Sequence, residues 1–426
     1  MINRIMPTIT AILTLLVSAS YAQTTLSMGG TAYPCTQAGL TAALTIMNAR
    51  GGTLDASACT SLSVTTPNDI GDGVHSVTLK FPLTGMWTVS GIANGSSCFF
   101  TVRDGSSVLG GGPGNGGSQF KVYSDASANF ADSIFCTLDN SYTRIEGGFG
   151  IESVSGTFVN GLVHWRRAFD SSLVRSITIL NRGGIGAFID GPCCSAAWEH
   201  VVINGGGATG SIPLIIDTTE GHLAMSFSCF SCSVDHAGSG QHEIEVRETS
   251  GVTQVNFYNL WVETNASAPA TVPHIEIAKS RGGVNFYGGT VVVENQSETV
   301  PVIDIANRVD ANVNVYGMYF RGGVSPAPRI RDNARGLTVA TNSIANIKPL
   351  DYSTLSPTTR METGTTAMSG GSATAKFFYS FLRAPRCIAT DTTSPASVQA
   401  TSTTTAITLV GTGSDVISWA CFGQPN

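Results

Sequence analysis

Short runs of alternating apolar and polar residues return along the middle of the chain at a nearly constant interval. Ile244-Glu245-Val246 is echoed by Ile275-Glu276-Ile277 and Ile303-Asp304-Ile305, 31 and 28 residues later. A second series, Val255-Asn256-Phe257, Val284-Asn285-Phe286 and Val313-Asn314-Val315, recurs every 29 residues, and each member is followed by a tyrosine at Tyr258, Tyr287 or Tyr316. A third contains Trp261-Val262-Glu263, Val292-Val293-Glu294 and Tyr319-Phe320-Arg321. Alternation with period two predicts strands, so each period predicts three of them. Strands this short are joined by turns such as Asn204-Gly205-Gly206-Gly207 and Arg281-Gly282-Gly283. They bury an apolar face only when successive periods stack.

Three strands per period of roughly 25 to 30 residues, each coil pairing with the next about 4.8 Å along the axis, predict a single-stranded parallel β-helix. Propeller blades or sandwich hairpins would bring repeated Asn-Gly turns, which are sparse here. Earlier members of the repeat are visible in Ser107-Val108-Leu109-Gly110, Thr143-Arg144-Ile145-Glu146-Gly147 and Ile177-Thr178-Ile179, giving about nine coils between residues 75 and 346. Ahead of them lie Tyr33-Pro34-Cys35-Thr36, the amphipathic stretch Gln37 to Asn48 and Gly51-Gly52-Thr53-Leu54. A solenoid end needs a cover for its apolar core and strand edges.

In these features residues 33 to 346 resemble the pectate-lyase-like right-handed parallel β-helix superfamily. The resemblance implies an all-β chain, a right-handed single-stranded parallel β-helix with an N-terminal cap over 23–74, in which Gln37 to Asn48 is the capping helix entering the first strand, and the helix proper over 75–346. Residues 347–375 are Ser/Thr-rich and lose the period, as a linker or laterally packed tail does. Alternation resumes within 376–426, in Ser397-Val398-Gln399 and Ala406-Ile407-Thr408-Leu409-Val410, which reads as a small C-terminal β module.

Only 12% of the 426 residues are Asp, Glu, Lys or Arg, and the formal net charge is -6. That balance argues against heptad coiled coils and against the basic clusters of nucleic-acid binders. Mean hydropathy is +0.15, but the one long uncharged apolar run lies at the N-terminus. Arg4, the stretch Ile9 to Val17 and Ser20-Tyr21-Ala22 form the n-region, h-region and cleavage site of a secretory signal over residues 1–22. The run is shorter than the roughly 20 residues a membrane span requires. The expectation is a secreted protein, extracellular or periplasmic, without a membrane partner once the signal is removed.

Ten cysteines agree with an oxidising compartment. Cys35 with Cys59, Cys98 with Cys136, and Cys387 with Cys421 are sequence neighbours expected to pair. Cys193-Cys194 and Cys229-x-x-Cys232 lie one coil apart and suggest bridges between adjacent coils. A four-cysteine metal site is the alternative, although adjacent cysteines lack the usual spacer.

Taking the polar residue after each inward isoleucine gives a candidate site. Asp190, Asp217, Glu245, Glu276, Asp304 and Arg331 follow one another at 27, 28, 31, 28 and 27 residues, and His164 lies 26 before Asp190. If Ile189, Ile216, Ile244, Ile275 and Ile303 point inward, the five carboxylates form one outward column. Like charges about 4.8 Å apart repel, and raised carboxyl pKa values, bound calcium or an adjacent base relieve the repulsion. Asp217, Glu245 and Glu276 are the candidate catalytic groups, with Asp190, Asp304, Arg331 and His164 as candidate substrate-binding residues. The implied partner is a polysaccharide, cleaved by lyase or hydrolase chemistry or epimerised, with calcium a possible cofactor.

The contrasting reading is a non-catalytic surface or adhesive β-helix that binds glycan or protein, its acids screened by Arg247, Lys279, Arg308 and Arg331. Polygalacturonase-like enzymes carry Asn-Thr-Asp, Asp-Asp, Gly-His-Gly and Arg-Ile-Lys in that order. This chain has only Gly221-His222-Leu223 and Arg329-Ile330-Arg331 as partial echoes, and no calcium-binding Asp cluster of the pectate-lyase type. Trp165, Trp198, Trp261, Tyr287 and Tyr316 are candidates for stacking on sugar rings. Asp235-His236 and Glu199-His200 place acid and imidazole side by side, but strand neighbours are expected on opposite faces. The column Asn256, Asn285 and Asn314 reads as a structural ladder.

Overall fold

A computed structural model describes residues 24–423 apart from 92–96, 113–119, 125–131, 139, 155–157, 193, 220–225, 253, 266–269, 296–299, 307–308, 310–312, 323–329, 333–340, 343–359, 379 and 395. The proposed signal segment, His222 and Cys193 therefore lie outside the described residues.

The three strand series form a parallel β-solenoid. Face one is a ten-stranded parallel sheet from Asn68–Ile70 to Ile330–Asp332. Faces two and three belong to a second, 20-stranded sheet. In its later coils single strands such as Val255–Glu263 and Val284–Val293 run across both faces. At the bend between them the chain takes one left-handed residue per coil: Ser176, His200, Ser231, Asn259, Gly288 and Gly317 all have φ between 49° and 70°. Small or locally hydrogen-bonding residues tolerate that conformation best.

The helix Gln37–Asn48 covers the N-terminal end, capped by the Thr36 side chain, which accepts from Gly39 N. Its Leu40, Ala43, Leu44 and Met47 face the core, as the amphipathic pattern requires. The first coil already includes Gly52–Asp55, Ser61–Val64 and Asn68–Ile70. Inside, one apolar column runs through Ile244, Ile275, Ile303 and Ile330. The N-terminal half is filled by a cluster of aromatics, with Phe81 centred 4.9 Å from Phe120 and 5.0 Å from Trp87.

Three sequence readings are corrected by this architecture. Ile177-Thr178-Ile179 belongs to face three, since Thr178 pairs with Gly150, and its face-two neighbour is the strand Leu173–Arg175. The antiparallel C-terminal module starts at Arg360–Ala367 and Ser372–Lys376, within the stretch read as a tail. Apart from Arg360-Met361-Glu362 and Lys376 those strands are built of Thr, Ser, Ala and Gly, so they carry no strongly apolar period to read, and the module has its own core around Ile407, Leu409 and Trp419. Cys229 and Cys232 are bonded to each other across one corner and do not bridge coils. Cys35–Cys59, Cys98–Cys136 and Cys387–Cys421 pair as expected.

Candidate active site

The face-one acids stand in two outward columns, not one. Asp190 pairs with Asp217, and Asp217 pairs with Arg247. Glu245, Glu276, Asp304 and Arg331 form the neighbouring column, below which stand Ile215 and Phe188. The true step from Asp217 is thus 30 residues, to Arg247, and the 28 that ends at Glu245 crosses between columns. A shift of two residues keeps every side chain on its own face, so the apolar pattern cannot register it.

Each of the five candidate acids on face one is engaged. Asp217 is buried, accepts from Arg247 Nε at 2.9 Å, and also takes hydrogen bonds from Thr218 N, Thr249 N and Thr249 Oγ1. Glu245 lies 3.5 Å from Arg247, Glu276 lies 2.7 Å from His242 Nε2, and Asp304 accepts from Arg331 Nε at 2.6 Å. The His242 partner holds Glu276 below its ordinary value. Asp190 accepts from Thr219 N and Thr219 Oγ1.

His164 is set apart from that strip. It is buried, 3.1 Å from both oxygens of Asp132 and 4.0 Å from Asp190, and its ring stacks on Phe188. Burial opposes its charge, but hydrogen bonding and attraction to Asp132 and Asp190 outweigh it and raise its pKa. A recess of about 240 Å³ beside Asp132 is walled by Asp69, Arg103, Arg166 and the Cys98–Cys136 disulfide.

Face three carries a constellation that the sequence reading passed over. One outward column there runs Asn204, Asp235, Glu263, Val292, Arg321, and its neighbour runs Ser233, Trp261, Thr290, Tyr319. Trp261, Glu263, Val292, Glu294 and Arg321 line an open cleft of about 470 Å³. Asp235 sits one rung from Glu263 and is only 8% exposed. Burial, with the Glu263 charge adding to it, pushes its carboxyl up to about 6 against the lowering effects of the Ser233 hydroxyl and His236.

Trp261 Nε1 donates to Glu263 Oε2 at 3.1 Å, which fixes that carboxylate beside the indole. His236, at φ 54°, leaves the strand in a left-handed turn. It therefore escapes the alternation that would have sent it to the face opposite Asp235. Its Nε2 lies 3.9 Å from Glu263 and 4.0 Å from Glu294. The three side chains converge closely enough to suggest a metal. However, Asn204 Nδ2 contacts His236 Nδ1 at 3.2 Å, and an amide nitrogen can only donate. Nδ1 is then the acceptor, and Nε2 faces the two carboxylates as a donor.

The aromatic candidates divide by the same geometry. Trp165 and Trp198 are fully buried in the core. Phe230, Tyr258, Tyr287 and Tyr316 form a stacked ladder with centroids 4.7, 5.0 and 5.7 Å apart, so the ring faces are spent on each other. Trp261 and Tyr319, 41% and 42% exposed, take no part in that ladder. The Asn256, Asn285 and Asn314 amides do form a ladder, linked at 2.9 and 2.7 Å.

No known family model matches the sequence, and no curated protein matches it. Among solved structures the chain is similar to the tailspike protein gp49 of Pseudomonas phage LKA1, with 13% identity over 86% of this chain and 68% of that one, at a TM-score of 0.30. It is also similar to the tailspike of Acinetobacter baumannii phage AM24 (10% identity, 91% and 79% covered, TM-score 0.40). A third is the tailspike gp49 of A. baumannii bacteriophage Fri1, described as a capsular polysaccharide depolymerase (9% identity, 94% and 84% covered, TM-score 0.33).

Proposed function

We propose that the protein is an exported β-helical glycoside hydrolase that binds a polysaccharide along face three, with Asp235 as general acid and Glu263 as nucleophile. The observation that carries this reading is the pairing, on adjacent rungs, of a buried Asp235 whose pKa is pushed up to about 6 with a Glu263 carboxylate held by Trp261. Two carboxyl environments that differ in this way assign the acid and the base. Strands about 4.8 Å apart suit the roughly 5 Å separation of a retaining mechanism.

In the first step the Asp235 proton passes to the glycosidic oxygen as the bond from that oxygen to the anomeric carbon breaks. A Glu263 oxygen bonds to that carbon, giving a glycosyl ester. In the second, the Asp235 carboxylate takes a proton from water, the water oxygen attacks the anomeric carbon, and Glu263 leaves as carboxylate. The Trp261 indole supports a sugar ring beside the reacting bond.

On this reading Asp190, Asp217, Glu245, Glu276, Asp304, Arg331 and His164 hold face one together through their ion pairs and hydrogen bonds. Export is supported by the disulfides Cys35–Cys59, Cys98–Cys136, Cys229–Cys232 and Cys387–Cys421 among the described residues, which suit an oxidising compartment. The test is incubation of the protein with a panel of neutral and acidic bacterial polysaccharides. New reducing ends whose first product keeps the anomeric configuration support the proposal. An unsaturated product, an inverted anomer, or no cleavage across the panel overturns it.

A further inference from the structure

We infer that the polymer cleaved on face three is acidic, and that Tyr319 and Arg321 form the subsite for its carboxylate-bearing sugar. The inference rests on the proposed reading of Asp235 and Glu263 and names the substrate class of that same cleft. Arg321 lies in the Glu263 column two rungs further along, separated from it by Val292. It lines the cleft, is exposed, and among the described residues makes no ion pair.

That sets it apart from Arg103, Arg175, Arg247 and Arg331, each of which is matched to a carboxylate. A planar guanidinium left open in a cleft is suited to bidentate recognition of a carboxylate. Tyr319 stands two residues before it on the same face, its ring exposed as that of Trp261 is.

Geometry joins this subsite to the reacting pair. Trp261 and Tyr319 occupy one column two rungs apart, roughly 9 to 10 Å along the axis. That is the span of a disaccharide lying parallel to the solenoid, with Thr290 and Val292 beneath it. The negative end of the cleft is local. Glu263 and Glu294 both face His236 Nε2, while Arg321 stands at the opposite end of the column. A polymer whose acidic sugar alternates with a neutral one therefore places its charge beside the cation and its neutral ring over Trp261.

The experiment measures binding by the Asp235→Asn protein in affinity electrophoresis, which separates recognition from cleavage. The probes are hyaluronan, alginate and polygalacturonate, each also in a form with its carboxyls reduced to alcohols. At least one acidic polymer is expected to bind roughly 10- to 100-fold more tightly than its reduced form, the range of one charge-assisted pair. Arg321→Gln should erase that preference and Arg321→Lys should keep part of it, while the affinity for the reduced polymer stays unchanged. Equal binding of both forms, an intact preference in Arg321→Gln, or no binding of any acidic probe overturns the inference. Arg321-dependent binding without cleavage by the unsubstituted protein would sink the hydrolase proposal alone. Cleavage restricted to neutral polymers would sink this inference and leave the hydrolase standing.

Discussion

The indole nitrogen of Trp261 donates to Oε2 of Glu263 at 3.1 Å, so the residue that offers the cleft an aromatic face also sets the direction of its carboxylate. The two jobs are separable. Trp261→Phe keeps an apolar ring and loses the donor, and is expected to lower kcat by about 10-fold or more with KM little changed. Trp261→Ala loses both and should raise KM as well. Steady-state kinetics on the cleaved polymer would show the split. Equal effects of the two substitutions on kcat and KM would mean that the hydrogen bond positions nothing.

Asp235 gives the activity a direction in pH. Its carboxyl, pushed up to about 6 from 3.8 by burial, must be protonated to act as the acid, so kcat is expected to fall as pH rises through about 6. Stability follows the same sign. A folded acid with a raised pKa binds more protons than the unfolded chain between about pH 4 and 6, so stability declines as pH rises across that window, by roughly 3 kcal/mol for a two-unit shift. Asp235→Asn should remove this decline, leaving a flatter stability curve than the parent over pH 4 to 6 in urea titrations.

His164 produces a decline of the same sign at higher pH. Because Asp132 and Asp190 raise its folded pKa above 6.5, the stability it contributes is present below that value and is lost as pH rises through the raised one. The two aspartates, held below 3.8 by that histidine and their hydrogen bonds, add stability above the ordinary carboxylate range that is lost as pH falls. His164→Gln should cost about 3–5 kcal/mol at about pH 6, below the ordinary imidazole value, by leaving Asp132 and Asp190 facing each other without the cation. The difference from the parent should shrink toward alkaline pH in denaturant titrations.

The periodic part of the fold was legible from the sequence, because stacked coils repeat the same physical demands every 25 to 30 residues. Three of the local disulfides and the Asn256-Asn285-Asn314 ladder follow from spacing and patterning alone, and the capping helix from the amphipathic stretch together with the superfamily resemblance. Register between Asp217 and Glu245 did not, since a two-residue slip leaves inside and outside unchanged. Nor did the burial of Trp165 and Trp198, whose neighbours in the pattern suit either a corner or the core.

The cleft itself was half visible. Ser233-Val234-Asp235 precedes Trp261-Val262-Glu263 by 28 residues, so extending the third series back by one period brings Asp235 beside Glu263. What concealed it was the positive φ of His236, a backbone departure with no signature in alternation. The free ring faces of Trp261 and the occupied ones of Tyr287 also depend on stacking between coils.

Face one supplies a contrast. Glu276→Gln removes a partly exposed partner of His242 and should cost under about 1 kcal/mol. Asp217→Asn disturbs a buried acid with four donors and should cost about 2–4 kcal/mol in chemical denaturation.

Turnover by these two substitutions, measured side by side with Asp235→Asn and Glu263→Gln on the same polymer at pH 5.5 and 25 °C, tests the assignment of the chemistry to face three most directly. Both face-three variants should remain folded and lose about 10³-fold or more in kcat, while Glu276→Gln and the folded fraction of Asp217→Asn stay within about threefold of the parent. Loss of turnover in Glu276→Gln or Asp217→Asn with Asp235→Asn and Glu263→Gln still active would contradict the account and return the catalytic role to face one.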